Sequence, residues 1–229
     1  MIINLGDNFE SYDFVKVSAN GRNIENIKTV EFTFNKEGLI GFAKNLVWLY
    51  EDMDVNKKFY VSTDPLGGVP SGNQVIGFYL TADSPILVFK VNSLFLCNSL
   101  KRVNKVNVRK KTKMKKLINI LPPTDDSYME EYELGYRNLG RILLYDDKDK
   151  NITNKYYEIF LEINYEGLKN LAIFLLKIAD AYHEGDEYYL NLADGGICNF
   201  GIVLTDDSLP VRFKCSNLGR ITDYEPKFE

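Results

Sequence analysis

Residues 35–39, Asn-Lys-Glu-Gly-Leu, return at 164–168 as Asn-Tyr-Glu-Gly-Leu, an offset of 164 − 35 = 129. An internal repeat constrains a fold strongly, because each copy must solve the same burial problem with the same pattern. The offset holds through Ala43 and Ala172, Leu46 and Leu175, and Tyr60 and Tyr189. After a loop that is longer in the first copy it becomes 201 − 77 = 124. Gly77, Leu80, Thr81, Asp83, Ser84, Phe89, Lys90 and Leu94 then match Gly201, Leu204, Thr205, Asp207, Ser208, Phe213, Lys214 and Leu218. Identities in order with one gap point to a duplication.

The physical pattern repeats with the letters. Leu39, Phe42, Ala43, Leu46, Leu49, Tyr50 and Met53 form an apolar stripe at helical spacing, and Leu168, Leu171, Ala172, Leu175, Ile178, Ala179 and Tyr182 form its counterpart. Each copy therefore holds one amphipathic helix. Asn35 and Asn164 stand where an N-cap belongs, and Glu37 and Glu166 suit the positive end of the helix dipole. Val30–Phe34 and residues 157–163 alternate with period two ahead of each helix; Phe59–Val61 and Tyr188–Leu190 follow it. Earlier strands are expected near 12–17 and 141–145, with turns at Asn20-Gly21 and 146–151. Two more strands per copy are joined by Ala82–Pro85 or Asp206–Pro210, residues that favour tight turns and read as hairpin connections. The expected fold is α+β: a ββαβββ unit used twice, each copy an antiparallel sheet with one helix, the copies in a pseudo-twofold arrangement.

Charge divides the chain into three. Residues 1–94, the first repeat, carry eight basic and eleven acidic residues; residues 134–229, the second, carry eleven and sixteen. The connector, 95–133, reverses this with nine basic and five acidic residues. All nine basic residues lie within Lys101–Lys116, and Pro122-Pro123 and five acids follow. Met114, Leu117, Ile118 and Leu121 fit a short amphipathic helix whose charges face water. A clustered basic run is also the footprint of phosphate binding, and Lys110, Lys111, Lys115 and Lys116 would make such contacts. Against that stand the acidity of the rest of the chain and the lack of interleaved aromatics for base stacking. No export signal or membrane-length apolar run is evident, and Cys97, Cys198 and Cys215 are odd in number and far apart. The expectation is a cytoplasmic protein with reduced thiols.

No residue pattern calls for catalysis, and no cofactor or metal is expected. The lone histidine, His183, lies in a polar helix-to-strand connection, and Asp54 takes its place in the first copy. The Asp146–Asn151 run alternates oxygen ligands but lacks the central Gly and distal Glu of an EF-hand loop. Gly67-Gly68 and Gly195-Gly196 lead into strands rather than helices, which suits a turn better than a phosphate cradle.

Gly167-Leu168, Leu171-Ala172, Leu175-Leu176 and Ala179, after a strand and before an extended strand and tight turn, resemble small bacterial immunity proteins of polymorphic toxin systems. The first copy keeps Gly38-Leu39, Ala43 and Leu46 of that pattern. The resemblance implies a non-enzymatic protein that neutralises a cognate toxin by direct binding. Acidic lobes fit a basic toxin, and Asp64, Asp180, Glu184, Asp186, Glu187, Asp206 and Asp207 are the expected contacts. Two alternatives stay open: a nucleic-acid-binding accessory protein using the connector, and a small-molecule-binding protein with a pocket between the repeats.

Overall fold

The first copied residue of the repeated pentapeptide does a single local job in both places. In the computed structural model, which describes residues 2–4, 13–21, 26–52, 58–61, 73–74, 78–91, 117–119, 139–190 and 202–219, helix α1 spans Lys36–Asp52 and helix α2 spans Tyr165–Asp180. The side chain of Asn35 accepts from the Gly38 N–H at 2.8 Å, and that of Asn164 from the Gly167 N–H at 2.8 Å. Each asparagine satisfies one of the free donors of a first helical turn, as expected of an N-cap. The cap also explains the glycine three residues on. A Cβ at Gly38 would lie 1.9 Å from the Leu139 carbonyl oxygen and 2.7 Å from Asn35 Oδ1; one at Gly167 would lie 2.6 Å from Asn164 Oδ1.

A prediction of definite sign follows. In an open helix, Gly→Ala stabilises by about 1 kcal/mol. At Gly38 the obstructing atom is backbone, so Gly38→Ala is expected to destabilise by about 1–3 kcal/mol, the usual cost of overpacking. Urea unfolding of the variant measures it, and a gain in stability would mean that Leu139 moves aside freely.

The strands are β1 Ile2–Asn4, β2 Asp13–Gly21, β3 Ile27–Phe34, β4 Lys58–Val61, β5 Asn73–Gln74, β6 Tyr79–Leu80, β7 Ile86–Val91, β8 Leu117–Asn119, β9 Leu139–Asp146, β10 Tyr156–Ile163, β11 Glu187–Leu190, β12 Ile202–Leu204 and β13 Val211–Cys215. They form a six-stranded sheet in the order β12-β2-β10-β7-β4-β5, a five-stranded sheet in the order β11-β13-β3-β9-β6, and the pair β1-β8. Among the described residues the fold is thus α+β, with two α-helices and two large sheets. Three expectations need correction. The sheets are mixed rather than antiparallel: β10 with β7, β12 with β2, β13 with β3, β6 with β9 and β4 with β5 run parallel. Each large sheet also takes strands from both ends of the chain, so neither end builds a sheet of its own. Finally, Leu117 and Ile118 lie in a strand antiparallel to β1 rather than in a helix.

The tight turns are the origin of the mixing. Ala82–Pro85 does not close a hairpin; it carries the chain from β6 in the five-stranded sheet to β7 in the six-stranded one. Its polar groups are pinned to β9, the parallel neighbour of β6. Thr81 N–H donates to the Gly140 carbonyl at 2.9 Å, and Ser84 Oγ accepts from the Ile142 N–H at 3.0 Å. Residues 206–210 make the reverse crossing from β12 to β13 and are pinned to β2. There Thr205 N–H donates to the Val15 carbonyl at 3.0 Å, and Ser208 Oγ accepts from the Val17 N–H at 2.9 Å. Asp83 pairs with Arg141 and Asp207 with Lys16 across these contacts.

The two sheets share one plan in residue-level detail. Leu161 opposite Val17 corresponds to Phe32 opposite Ile142, and Leu161 opposite Phe89 corresponds to Phe32 opposite Phe213. Phe59 opposite Phe89 corresponds to Tyr188 opposite Phe213, and Leu204 opposite Val15 to Leu80 opposite Gly140. The offsets are 161 − 32 = 129, 213 − 89 = 124 and 142 − 17 = 125. Even the register shift between Tyr156 and Glu158 has its equal between Ile27 and Thr29. Corresponding residue pairs thus recur in the two sheets, each of which interleaves strands from both ends of the chain.

Both helices contact each other and both sheets. The Phe42 ring on α1 lies 5.6 Å from Phe89 of the six-stranded sheet and 5.5 Å from Phe34 of the five-stranded one. Phe174 on α2 lies 5.2 Å from Phe213, and α2 also touches β2 and β12. The stripes read as one-sided in sequence are therefore part of helices buried on several sides. Phe174 and Leu176, the second apolar face of α2, are buried in this interior. Among the described residues no helix is long and apolar enough to cross a membrane.

Candidate functional site: the outer face and acidic end of the five-stranded sheet

Period-two alternation sends Val30, Phe32 and Phe34 of β3 inward and leaves Glu31 and Thr33 on the opposite face. Cross-strand register then sets Tyr189, Arg212, Glu31 and Leu143 in one row across β11, β13, β3 and β9. Glu187, Lys214, Thr33 and Arg141 make the next row. Glu31 sits on a central strand and is only 2% exposed. Its carboxylate is held by the Arg212 guanidinium and accepts from the Thr33 hydroxyl at 2.9 Å. A buried carboxylate requires such partners, since an unpaired one would be strongly disfavoured.

Arg212 organises the rest. Its guanidinium reaches Glu187 at 3.4 Å and the Tyr189 hydroxyl at 3.5 Å, and it stands 5.7 Å from the Tyr145 ring centre. The Tyr189 hydroxyl donates to Glu187 at 2.7 Å, and Lys214 approaches the same carboxylate at 3.8 Å. The Tyr189 bond and then the two cations hold the Glu187 carboxyl below its ordinary range. Burial, and then the charge of Glu31, push the Tyr145 phenol up. The result is a fixed lattice of charges and hydroxyls capped by Tyr189, which is 53% exposed. At the equivalent places the six-stranded sheet carries Tyr60, Val88 and Phe160. The row through Glu31 and Arg212 therefore has no charged counterpart at those positions, while the next row of the six-stranded sheet carries an ion pair of its own, Lys90 with Glu162 at 3.2 Å.

The expected acidic contacts fall into two groups. Asp180 ends α2 and is exposed, Glu184 and Asp186 lie in the following connection, and Glu187 opens β11. That connection is fastened to the end of β13: Gly185 N–H donates to the Cys215 carbonyl at 2.8 Å, and Cys215 N–H to the Asp186 carbonyl at 2.9 Å. Glu184 accepts from the Asn217 N–H at 3.4 Å and Asp186 from the Tyr188 hydroxyl at 3.3 Å. Gly185 has φ +94°, a left-handed conformation that glycine adopts without strain. Asp206 and Asp207 lie beyond the other end of β13, so they do not join this group. Asp207 is turned to Lys16 and to the Thr205 hydroxyl at 2.8 Å, and Lys16 holds its carboxyl below the usual range.

Asp64, Lys110, Lys111, Lys115 and Lys116 lie outside the described residues, as do Cys97, Cys198 and both Gly-Gly pairs. His183 is exposed in the acidic connection, and its carbonyl accepts from the Asp186 N–H at 3.2 Å. Burial, then the Asp186 charge, push the Cys215 thiol up to about 11, which suits an inert buried thiol. The 146–151 run is a turn in its own right. Asp146 Oδ1 accepts from the N–H groups of Lys148 and Lys150 at 2.9 Å each, while Asp149, at φ +56°, pairs with Lys28 at 2.8 Å. Among the described residues no three His, Cys, Asp or Glu side chains gather as a metal site would require.

Sequence reading passed over Glu31, Arg212, Tyr145 and Tyr189. Glu31 looks like the solvent phase of an alternating strand until the neighbours of that strand are known. No family model, curated protein or solved structure matches this chain.

Proposed function

We propose that the chain is an internal duplication of a ββαβββ unit whose copies exchange strands, and that it is a non-catalytic bacterial immunity protein. On this reading it acts in the cytoplasm and neutralises a cognate toxin by direct binding. The observation that carries the reading is the segment 180–190. It holds four acidic residues and no lysine or arginine, is fastened by backbone hydrogen bonds to β13, and ends beside the exposed Tyr189. A pre-ordered acidic surface with an aromatic anchor suits a protein partner. Ordering costs are already met in the free state, complementary charge speeds encounter, and tyrosine is enriched among residues that dominate binding energy.

The test begins with basic toxin-like proteins encoded beside this gene. Co-expression is expected to rescue growth, and the purified proteins to bind in solution. Replacing Asp180, Glu184 and Asp186 by Asn, Gln and Asn should slow association by about tenfold at low salt and flatten its salt dependence. No binding and no protection with any neighbouring toxin would overturn the reading. Tight binding with an unchanged association rate would remove the acidic segment from it.

A further inference from the structure

The contacts that complete both large sheets run between two halves of the chain, β2–β7 and β9–β13. β2 lies between β10 and β12, β3 between β9 and β13, β10 between β2 and β7, and β9 between β3 and β6. The two helices meet across the same division. Lys16 with Asp207, Lys90 with Glu162, Arg141 with Asp83 and Arg212 with Glu31 each join one half to the other. None of these contacts depends on the two halves belonging to one molecule. β8 pairs with β1 and so goes with the first half. The nineteen residues 120–138 then join the halves. Fully extended, such a length reaches at most about 65 Å, against a radius of gyration of about 17 Å for a domain of this size.

The pairing is also selective. Lys16 with Asp207 and Arg141 with Asp83 do not discriminate, because both halves carry the same charges at those places. Glu31 and Arg212 do discriminate. Their counterparts in the other sheet are Phe160 and Val88. A first half paired with another first half would set Glu31 beside Val88, and its buried carboxylate would lose the guanidinium. A second half paired with another second half would set Arg212 beside Phe160. Both like pairings break the ion pair, and a buried carboxylate left without its partner is strongly disfavoured.

We propose that two copies of this chain exchange halves, the first half of each completing the second half of the other. The Glu31–Arg212 pair admits unlike halves and rejects like ones. The partner is thus a second copy, and the contact surface is the one the fold already uses within itself. Concentration sets the balance. Within one chain the halves meet at an effective concentration on the order of millimolar, so a second copy competes only as its own concentration approaches that value. Exchange is slow, because the halves must part before they can trade. This inference goes beyond the toxin-binding reading and does not depend on it.

The experiment uses light and isotopically heavy full-length chains. Unfolded together in urea and refolded at about 1 mM, they should give light, mixed and heavy dimers by native mass spectrometry; refolded at about 1 μM, they should give monomers. Light and heavy dimers prepared separately and then mixed without denaturant should stay unmixed for hours. Monomers alone at both concentrations would overturn the exchange, and so would rapid mixing, which marks a dimer of surface contacts. Two variants test the ion pair. Glu31→Arg brings two guanidinium groups together, and Arg212→Glu two carboxylates, so each variant refolded alone should yield at least tenfold less native protein than the wild type. Refolded together, the two should recover that yield as a one-to-one dimer. Exchange then sets the substituted halves against each other and leaves the unsubstituted halves together. Native monomers from either variant alone, or no recovery in the mixture, would overturn the role given to the pair.

Discussion

Expressed as separate fragments, residues 1–94 and 95–229 are each expected to be unfolded alone and to regain the native structure when mixed. The reason is the order of strands. Remove the second fragment, and β2 loses both neighbours, β12 and β10; β3 loses both β13 and β9; β6 loses β9. Of the described strands, only β7, β4 and β5 still touch one another. In the second fragment β9, β10 and β12 are stripped in the same way, leaving β11 with β13. Helix α1 also loses α2, with which it shares the buried interior. An isolated two- or three-stranded ribbon with one helix is marginal in water, so the whole stability of the chain, about 5–15 kcal/mol for a protein of ordinary stability, depends on the two ends meeting. Far-UV circular dichroism and amide NMR spectra of each fragment, and of the mixture, measure this. A homodimer of 95–229 would be consistent, since β9 and β13 of a second copy can stand where β2 and β7 do. A well-dispersed spectrum from monomeric 95–229 would refute the dependence.

What could be read in the sequence divides along the same line. The two long helices and their Asn caps were legible because their causes are local: Asn35 bonds Gly38 and Asn164 bonds Gly167 within a single turn. Strand positions were legible from period two. Strand partners were not. Asp83-Ser84 and Asp207-Ser208 suit a hairpin turn and a crossing between sheets equally well, because the serine hydroxyl can accept from any nearby N–H. Here it accepts from Ile142 and Val17, far away in sequence. One signal did favour the observed topology. Ile86-Leu87-Val88-Phe89 is a continuous apolar run in the sequence, and Leu87, Val88 and Phe89 are all buried. Strands covered on both faces belong to the middle of parallel or mixed sheets rather than to a one-faced antiparallel sheet. The charged lattice was hidden by the same ignorance, since Arg212 meets Glu31 only if β13 lies beside β3.

That meeting can be tested by making one sheet copy the other. Where the five-stranded sheet has Glu31 beside Arg212, the six-stranded sheet has Phe160 beside Val88 in the same register. Arg212→Val alone would leave the Glu31 carboxylate buried, with the Thr33 hydroxyl as its remaining partner among the described residues. Breaking a buried ion pair from one side costs about 3–5 kcal/mol. The lower end is expected here, because the Arg212 side chain is 23% exposed and water reaches part of the site. Glu31→Phe together with Arg212→Val should recover most of that loss. It removes both charges at once, and Leu143 and Tyr145 offer an apolar surround on β9. A double-mutant cycle by urea unfolding is then expected to give a coupling energy of about 2 kcal/mol or more between the two positions, within the range for residues in contact. A double variant as unstable as Arg212→Val would mean that the pair is not self-contained. Glu187 and Tyr189, which also bind Arg212, would then be the groups whose lost contacts carry the remaining cost. A stable double variant would show that folding does not require the two charges, and the departure of this sheet from its twin would then have a cause other than stability.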